Sequence, residues 1–265
     1  MISRLTHHLY AVIKLIIFSI LPKIIHMKYT SILVAVVALL SSCNPYDNAM
    51  NSLTSQEKEE GWELLFDGKT LSGWHIYNQG DTISKWQARD GELICDPKNE
   101  GVFGDLVTDN SYQNFELVYD WKVNKGGNSG VFINVNESPQ YAATFATGLE
   151  MQLLDNANAE ERHKIDSTHW AGCLYAVSCF GKNSKPNPFG EWNTSKIVQE
   201  NQNVTFWLNG AITFEGMIGT QSWLDFLKTT NMKTYPAFGT FTEGKIALQN
   251  HTDLIAFRNI KIKKL

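Results

Sequence analysis

The sequence predicts an all-β fold, two antiparallel sheets packed as a sandwich, on three observations. Short runs rich in β-branched and aromatic residues (ELICD, FELVYDWKV, GVFINVN, GLEMQLLD, NVTFWLNG, AITFEG, KIALQNH, LIAFRNIKIKKL) succeed one another from Gly61, separated by Gly, Asn, Asp or Pro clusters. Asn209-Gly210 stands between two of these runs, where both positions accept positive φ and favour a two-residue type I′ hairpin; Asp90-Gly91 repeats the signal more weakly in QARDGELIC. No long amphipathic helix or strand–helix alternation interrupts the series, and only QSWLDFLKTT, 221–230, reads as a helical turn.

The chain before Gly61 is of another kind. MKYTSILVAVVALLSSC, from Met27, has a Lys28 n-region, an apolar run and Leu40-Ser41-Ser42-Cys43, the length and flanks of a secretory signal rather than a spanning helix. The last four residues resemble a bacterial lipobox, which implies lipid modification of Cys43 and removal of what precedes it; an ordinary signal with a chance Cys is the alternative. A second apolar run, LYAVIKLIIFSIL, lies ahead of this complete signal, and Met27 as the true start accounts for it more simply than two membrane segments. The expected organisation is therefore 1–43 misassigned start plus signal, 44–60 a polar flexible tether, and 61–265 one folded domain.

At 265 residues and 43% hydrophobic the chain can bury a sizeable single core. A net charge of -4 without a basic stripe argues against a nucleic-acid partner, which needs clustered cations to neutralise phosphates. Beyond Cys43 the cysteines are Cys95, Cys173 and Cys179. If AGCLYAVSC is one strand, Cys173 and Cys179 stand too far apart to bridge and are small core residues.

Polar residues that break the apolar pattern are the candidate site. In GLEMQLLD, Leu149, Met151 and Leu153 share one face of a strand and Glu150 and Gln152 the other, where they meet either solvent or a ligand. In GKIALQNHTD, Ile246 and Leu248 share one face and Gln249 and His251 the other; an imidazole there can exchange a proton near neutral pH or simply hydrogen-bond within the fold. Asn128 and Ser129 in GGNSG fit a tight turn whose glycines let backbone approach a ligand. PFGEWN offers Trp192 as a flat apolar surface and Glu191 and Asn193 as polar groups for a ligand, or else a core Trp with a satisfied loop. Asp105 and Lys122 are further candidates on polar faces or turns, and His163 and His169 fall in a polar insertion read as a surface loop rimming the groove.

The runs GWELLFDGKTLSGWHIY, GGNSGVF, GLEMQLLD, AGCLY, PFGEWN, VTFWLNG and GKIALQNHTDLIAFRNIKIK, in this order over 61–265, resemble the family once catalogued as domain of unknown function 1080 and now described as 3-keto-disaccharide hydrolases. The resemblance implies a concanavalin A-like jelly-roll sandwich, secreted or anchored in the bacterial cell envelope, that cleaves glycosides already oxidised at C3. It further implies a partner oxidoreductase that makes the ketone. A C3 ketone acidifies the C2 proton, so such a site needs a base, donors for an enolate and an acid for the leaving group. Glu150 and His251 are the expected catalytic pair, Glu150 as base or general acid. Gln152, Asn128, Gln249, Glu191, Trp192, Asn193, Asp105 and Lys122 are expected to bind substrate. Many relatives carry an Arg a few residues after GGNSG, where Asn134 stands here, which implies a different sugar or aglycone. No organic cofactor is expected, while a divalent cation stays open because no spacing marks a dedicated site. Two other readings stand beside this one: a non-catalytic carbohydrate-binding module, and a conventional glycosidase with Glu191 facing Glu150.

Overall fold

The computed structural model describes residues 49–265, so the signal segment, Cys43 and the first residues of the expected tether lie outside the described residues. The expected β-sandwich is present. One sheet runs β11 (Ala211–Met217), β10 (Asn203–Leu208), β9 (Asn193–Glu200), β6 (Phe115–Val123), β13 (Ile255–Lys264), β4 (Glu92–Cys95), β3 (Trp86–Arg89), with β1 (Trp62–Leu64) also paired to β13. The other runs β2 (Trp74–Ile76), β5 (Leu106–Tyr112), β12 (Gly244–Leu248), β7 (Asn128–Val135), β8 (Leu149–Leu154). Every named ladder is antiparallel, and neighbours such as β6–β13 and β5–β12 are far apart in sequence, the crossing pattern of a jelly roll.

Side-chain alternation explains why these segments are strands. In β6 the odd-numbered residues Phe115 to Val123 are buried while Glu116, Asp120 and Lys122 look outward. Trp121, Tyr119, Phe206 and Phe257 from this sheet meet Val131, Leu149, Met151 and Leu248 from the other. Each such large side chain, wholly removed from water, stabilises the fold by roughly 1.5–3 kcal/mol. Polar atoms inside this layer are paired: Trp121 Nε1 donates to Ser195 Oγ at 2.9 Å and Tyr119 OH to Met151 Sδ at 3.1 Å. The two hairpins read from sequence have the expected backbone, with φ of 53° and 78° at Asp90-Gly91 and 48° and 83° at Asn209-Gly210.

Three sequence readings change, and one left open is decided. The segment 51–60 is tied down rather than a free tether: Asn51 and Asn259 exchange backbone-to-side-chain bonds of 2.8 Å, and Thr54 and Glu57 form a reciprocal capping box on α1 (Ser55–Glu59). Cys173 and Cys179 form a disulfide, because the chain reverses through Ala176 at φ 56° and pairs Leu174 with Ser178. That reversal brings their Cα atoms to 4.8 Å, where an extended run would have held them apart. Asn134 does not face a ligand: at φ 58°, beside a register irregularity between β7 and β12, its Nδ2 donates to Gln199 Oε1 at 2.8 Å between the sheets. The open reading is the polar face of GLEMQLLD: β8 is buried along both faces, which removes the solvated alternative.

Two long connections roof that second face. One, 155–192, carries α2 (Glu161–Lys164) and the disulfide; the other, 218–243, carries α3 (Gln221–Leu227). Among the described residues no helix is long and apolar enough to cross a membrane.

Farther along the same sheet, His75 is clamped, Nδ1 2.6 Å from Asp109 and Nε2 2.8 Å from Glu137, with Lys245 3.5 Å from Glu137. Burial works against the imidazolium, but the hydrogen bonds to Glu137 and Asp109 outweigh it and raise the His75 pKa. Burial likewise opposes the Glu137 carboxylate, yet the Asn78 N–H, His75 and Lys245 hold its pKa down. The His75 contribution is complete below its unfolded value of about 6.5 and is lost as pH rises through the raised folded value. The Glu137 contribution is present above about 4.3 and is lost as pH falls through the depressed folded value. The melting-temperature deficit of His75→Gln should therefore peak at about pH 5–6 and shrink toward alkaline pH. A deficit flat across that range in calorimetric scans would mean that His75 is neutral in the fold.

Candidate active site

In the β7–β8 ladder Phe132 pairs with Glu150, Gly130 with Gln152 and Asn128 with Leu154. Period-two alternation then places Asn128, Gly130, Phe132, Glu150 and Gln152 on the face away from the inter-sheet core. Gly130 is required there, since a Cβ would collide with the Glu150 carboxyl, which lies over the glycine backbone. Just past β12, Gln249 N donates to Gly130 O at 2.9 Å and Ser129 Oγ donates to Gln249 O at 2.8 Å, fixing Gln249 beside β7. Gln152 Nε2 donates to Asn128 Oδ1 at 3.1 Å, and Asn128 Nδ2 lies 3.4 Å from His163 Nε2.

These residues open into a cavity of about 210 Å³. Its lining contains Glu150, Gln152, Asn128, Gln249 and His251 from the sequence expectation, joined by Tyr175, Phe145, Met232 and Tyr235 from the roofing connections and the turn before β8. Phe145 and Tyr235 meet edge to face at 5.2 Å and stay about two-fifths exposed, forming an aromatic lip. Beyond Met232 and Tyr235 a neighbouring hollow of about 360 Å³ continues along α3.

The electrostatics favour a protonated acid. Desolvation pushes the Glu150 carboxyl well above the usual range, and the nearby Asp105 adds to this, while a hydrogen bond from Gln249 opposes both. Asp105 is also raised by burial; its oxygens accept from Thr144 Oγ1 and from Asn250 N at 2.9 Å, so it stands behind the cavity rather than in its lining. His163 is 2% exposed, and burial with Arg162 and His169 nearby brings its pKa down to about 4. It is therefore a neutral imidazole backing Asn128. His251 sits at the mouth with its side chain 43% exposed, 3.8 Å from Asp253.

The remaining expected residues lie elsewhere. Lys122 pairs with Glu92 at 2.8 Å on the outer face of the eight-stranded sheet, and the Trp192 ring is held between Lys122 and Arg258, 4.4 and 4.1 Å from its centroid. Asn193 accepts from Asn187 N at 2.7 Å and Asn209 Nδ2 at 2.9 Å, closing a turn. Glu191 is exposed in the loop before β9, outside the cavity lining. What the sequence reading missed are the roof residues. Tyr175, in AGCLY, is the one that carried a motif signal; Phe145, Met232 and Tyr235 come from irregular chain without periodicity, and His163 reads as a surface residue in a polar insertion. Among the described residues no group of three or more His, Cys, Asp or Glu side chains forms a cation cage.

The sequence model of the 3-keto-alpha-glucoside-1,2-lyase-like domain matches residues 61–263. A 3-keto-disaccharide hydrolase of Bacteroides thetaiotaomicron is 32% identical over 241 residues, covering 82% of each chain. Among solved structures, one from Parabacteroides distasonis, provisionally assigned to the glycosyl hydrolases, is 38% identical with a TM-score of 0.74, covering 82% of this chain and 100% of that one. A second from the same organism, with the same provisional assignment, is 28% identical with a TM-score of 0.56, covering 77% and 99%.

A buried carboxyl with a raised pKa costs stability that accrues as pH rises from its unfolded value of about 4.3 up through the folded value. Glu150→Gln removes the cost and keeps the shape. The variant should melt higher than the parent near neutral pH, by about 2–4 °C for each kcal/mol relieved, with a gap that widens from about pH 4 upward. A gap independent of pH in thermal melts would contradict a desolvated carboxyl at this position.

Proposed function

The chain belongs to the 3-keto-alpha-glucoside-1,2-lyase-like family, and from that premise we propose that it cleaves glycosides carrying a ketone at C3 of the sugar. The observation that carries this reading is the lone carboxyl of the cavity: among the described lining residues Glu150 is the only acid. A conventional glycosidase sets two carboxyls about 5–9.5 Å apart across the scissile bond. Glu191, the expected second carboxyl, is outside the lining. Keto-assisted cleavage needs one.

In this reaction Glu150, ionised, takes the proton from C2, and the electron pair of that bond forms the C2–C3 double bond of an enolate. The enolate reforms the ketone as the C1–O bond breaks, leaving a C1–C2 double bond. The leaving oxygen receives a proton from His251 at the mouth or from Glu150 itself, and water then adds across C1–C2 to give the free 3-keto sugar. The amides of Gln249, Gln152 and Asn128 are suited to bind the C3 oxygen as charge develops on it. A raised Glu150 pKa serves a base well, because the strongest base available at working pH has a pKa near that pH.

A cavity of about 210 Å³ is smaller than the ~300–1,000 Å³ usual for small-molecule sites, which suits one sugar ring. The aglycone then extends past Met232 and Tyr235 into the hollow along α3. Upstream, an oxidoreductase must supply the ketone, and lipid-modified Cys43 would hold the enzyme in the cell envelope, where it meets such glycosides.

Mass spectrometry of mixtures with 3-keto-trehalose should show sugar release that unoxidised trehalose does not give, and Glu150→Gln should abolish most of it. Equal release from both sugars would defeat the keto requirement. The acid limb of kcat/KM should lie above the ordinary carboxylate range, since Glu150 must ionise to act. Tyr235→Ala should raise KM by about 3- to 10-fold with little change in kcat, the loss of one aromatic contact. A kcat collapse instead would move Tyr235 into the chemistry.

A further inference from the structure

The connection 155–192 has a second side. Its His163 backs Asn128 at the cavity above, while its Lys164 and Trp170 line a separate cleft of about 680 Å³. The opposite wall is Ser184–Phe189. Hydrogen bonds brace these walls against one another: Asn156 Oδ1 accepts from Ala171 N at 2.9 Å and Asn156 Nδ2 donates to Ser184 Oγ at 3.0 Å, while Ser184 Oγ donates to Ala171 O at 2.7 Å. Asn187 is fixed from behind, its N donating to Asn193 Oδ1 and its Nδ2 to Trp192 O, both at 2.7 Å. Asp155 Oδ2 accepts from Gly126 N at 2.9 Å and from Asn158 Nδ2 at 2.8 Å.

The cleft is thus held open by its own frame, and its floor polar groups are largely occupied. Four groups remain for a ligand. Trp170 lines the cleft, and its Nε1 is satisfied by the carbonyls of His163 and Lys164 at 3.1 and 3.3 Å. Phe189 is 44% exposed. Lys164 and Lys185 line the cleft and enter none of the ion pairs found among the described residues, in a chain whose overall charge is -4.

We propose that this cleft is a second carbohydrate site, distinct from the catalytic cavity, that binds an acidic sugar unit of a glycan. The apolar face of the ring stacks on Trp170, and the carboxylate or sulfate lies by Lys164 and Lys185. An aromatic floor suits any pyranose, but two free ammonium groups select the anionic ones. Phosphate-rich polymers would match the charge and leave the aromatic walls unused. The site is independent of the keto-glycoside reading, since none of its residues lines the Glu150 cavity.

The test is affinity electrophoresis of the full chain in native gels containing polygalacturonate, dextran sulfate or neutral dextran. Retardation by one or both acidic polymers is expected, the responding polymer identifying carboxylate or sulfate as the preferred group. Lys164→Glu with Lys185→Glu, and separately Trp170→Ala, should each weaken retention by about tenfold or more. Turnover of 3-keto-trehalose by the charge-reversed variant should be unchanged, with a parental melting temperature showing that it is folded. No retardation by either acidic polymer, or retention undiminished in the folded charge-reversed variant, would overturn the proposal.

Discussion

A strand sends alternate side chains to opposite faces, and in β7 and β8 both faces are covered; from that constraint the rest of the molecule follows. Leu149, Met151 and Leu153 go into the layer shared with Trp121 and Phe257, so Glu150 and Gln152 must go the other way. That other way is roofed by the two long connections. A carboxyl on an open sheet would be hydrated and ordinary. Covered, it loses its water and holds its proton.

The cost of that burial is borne locally. Gly130 gives up a side chain so that the Glu150 carboxyl can lie on the sheet, and Gln249 is bonded to the same strand through its backbone. Asp105 lies near enough to raise Glu150 further, but Thr144 and Asn250 hold it in place behind the cavity. Two acids that resist simultaneous ionisation make a poor structural device and a good proton store. A neutral His163 behind Asn128 completes a floor of polar groups that adds no positive charge, so nothing on that side pulls the Glu150 pKa back down.

Local periodicity made the strands, both type I′ hairpins and the Glu150–Gln152 pair legible in the sequence, because each depends on neighbours two or three residues away. The roof was not legible for the converse reason. Phe145, Tyr175, Met232 and Tyr235 come from three segments with no shared period, and only tertiary packing assembles them. Trp192 shows the same limit: a Trp beside Glu and Asn reads as a sugar platform, yet its partners Lys122 and Arg258 lie on strands 66 to 70 residues away and hold it on the opposite sheet. Ala176 defeated the cysteine reading, since a non-glycine residue at positive φ carries no sequence mark and turned an expected strand into a bridged reversal.

The sheets and the connections therefore carry different duties. Strand register fixes where the buried Glu150 carboxyl sits to within a hydrogen-bond ladder, and a change of one residue in that register would exchange pocket for core. The connections face no such rule. Their shape is set by local braces, Asn156 to Ala171 and Ser184 in one and Trp223 Nε1 to Gly239 O at 2.9 Å in the other. They can vary in length and side chain while those braces persist. The placement of the Glu150 carboxyl thus belongs to the fold, whereas what can reach it is decided in the roof.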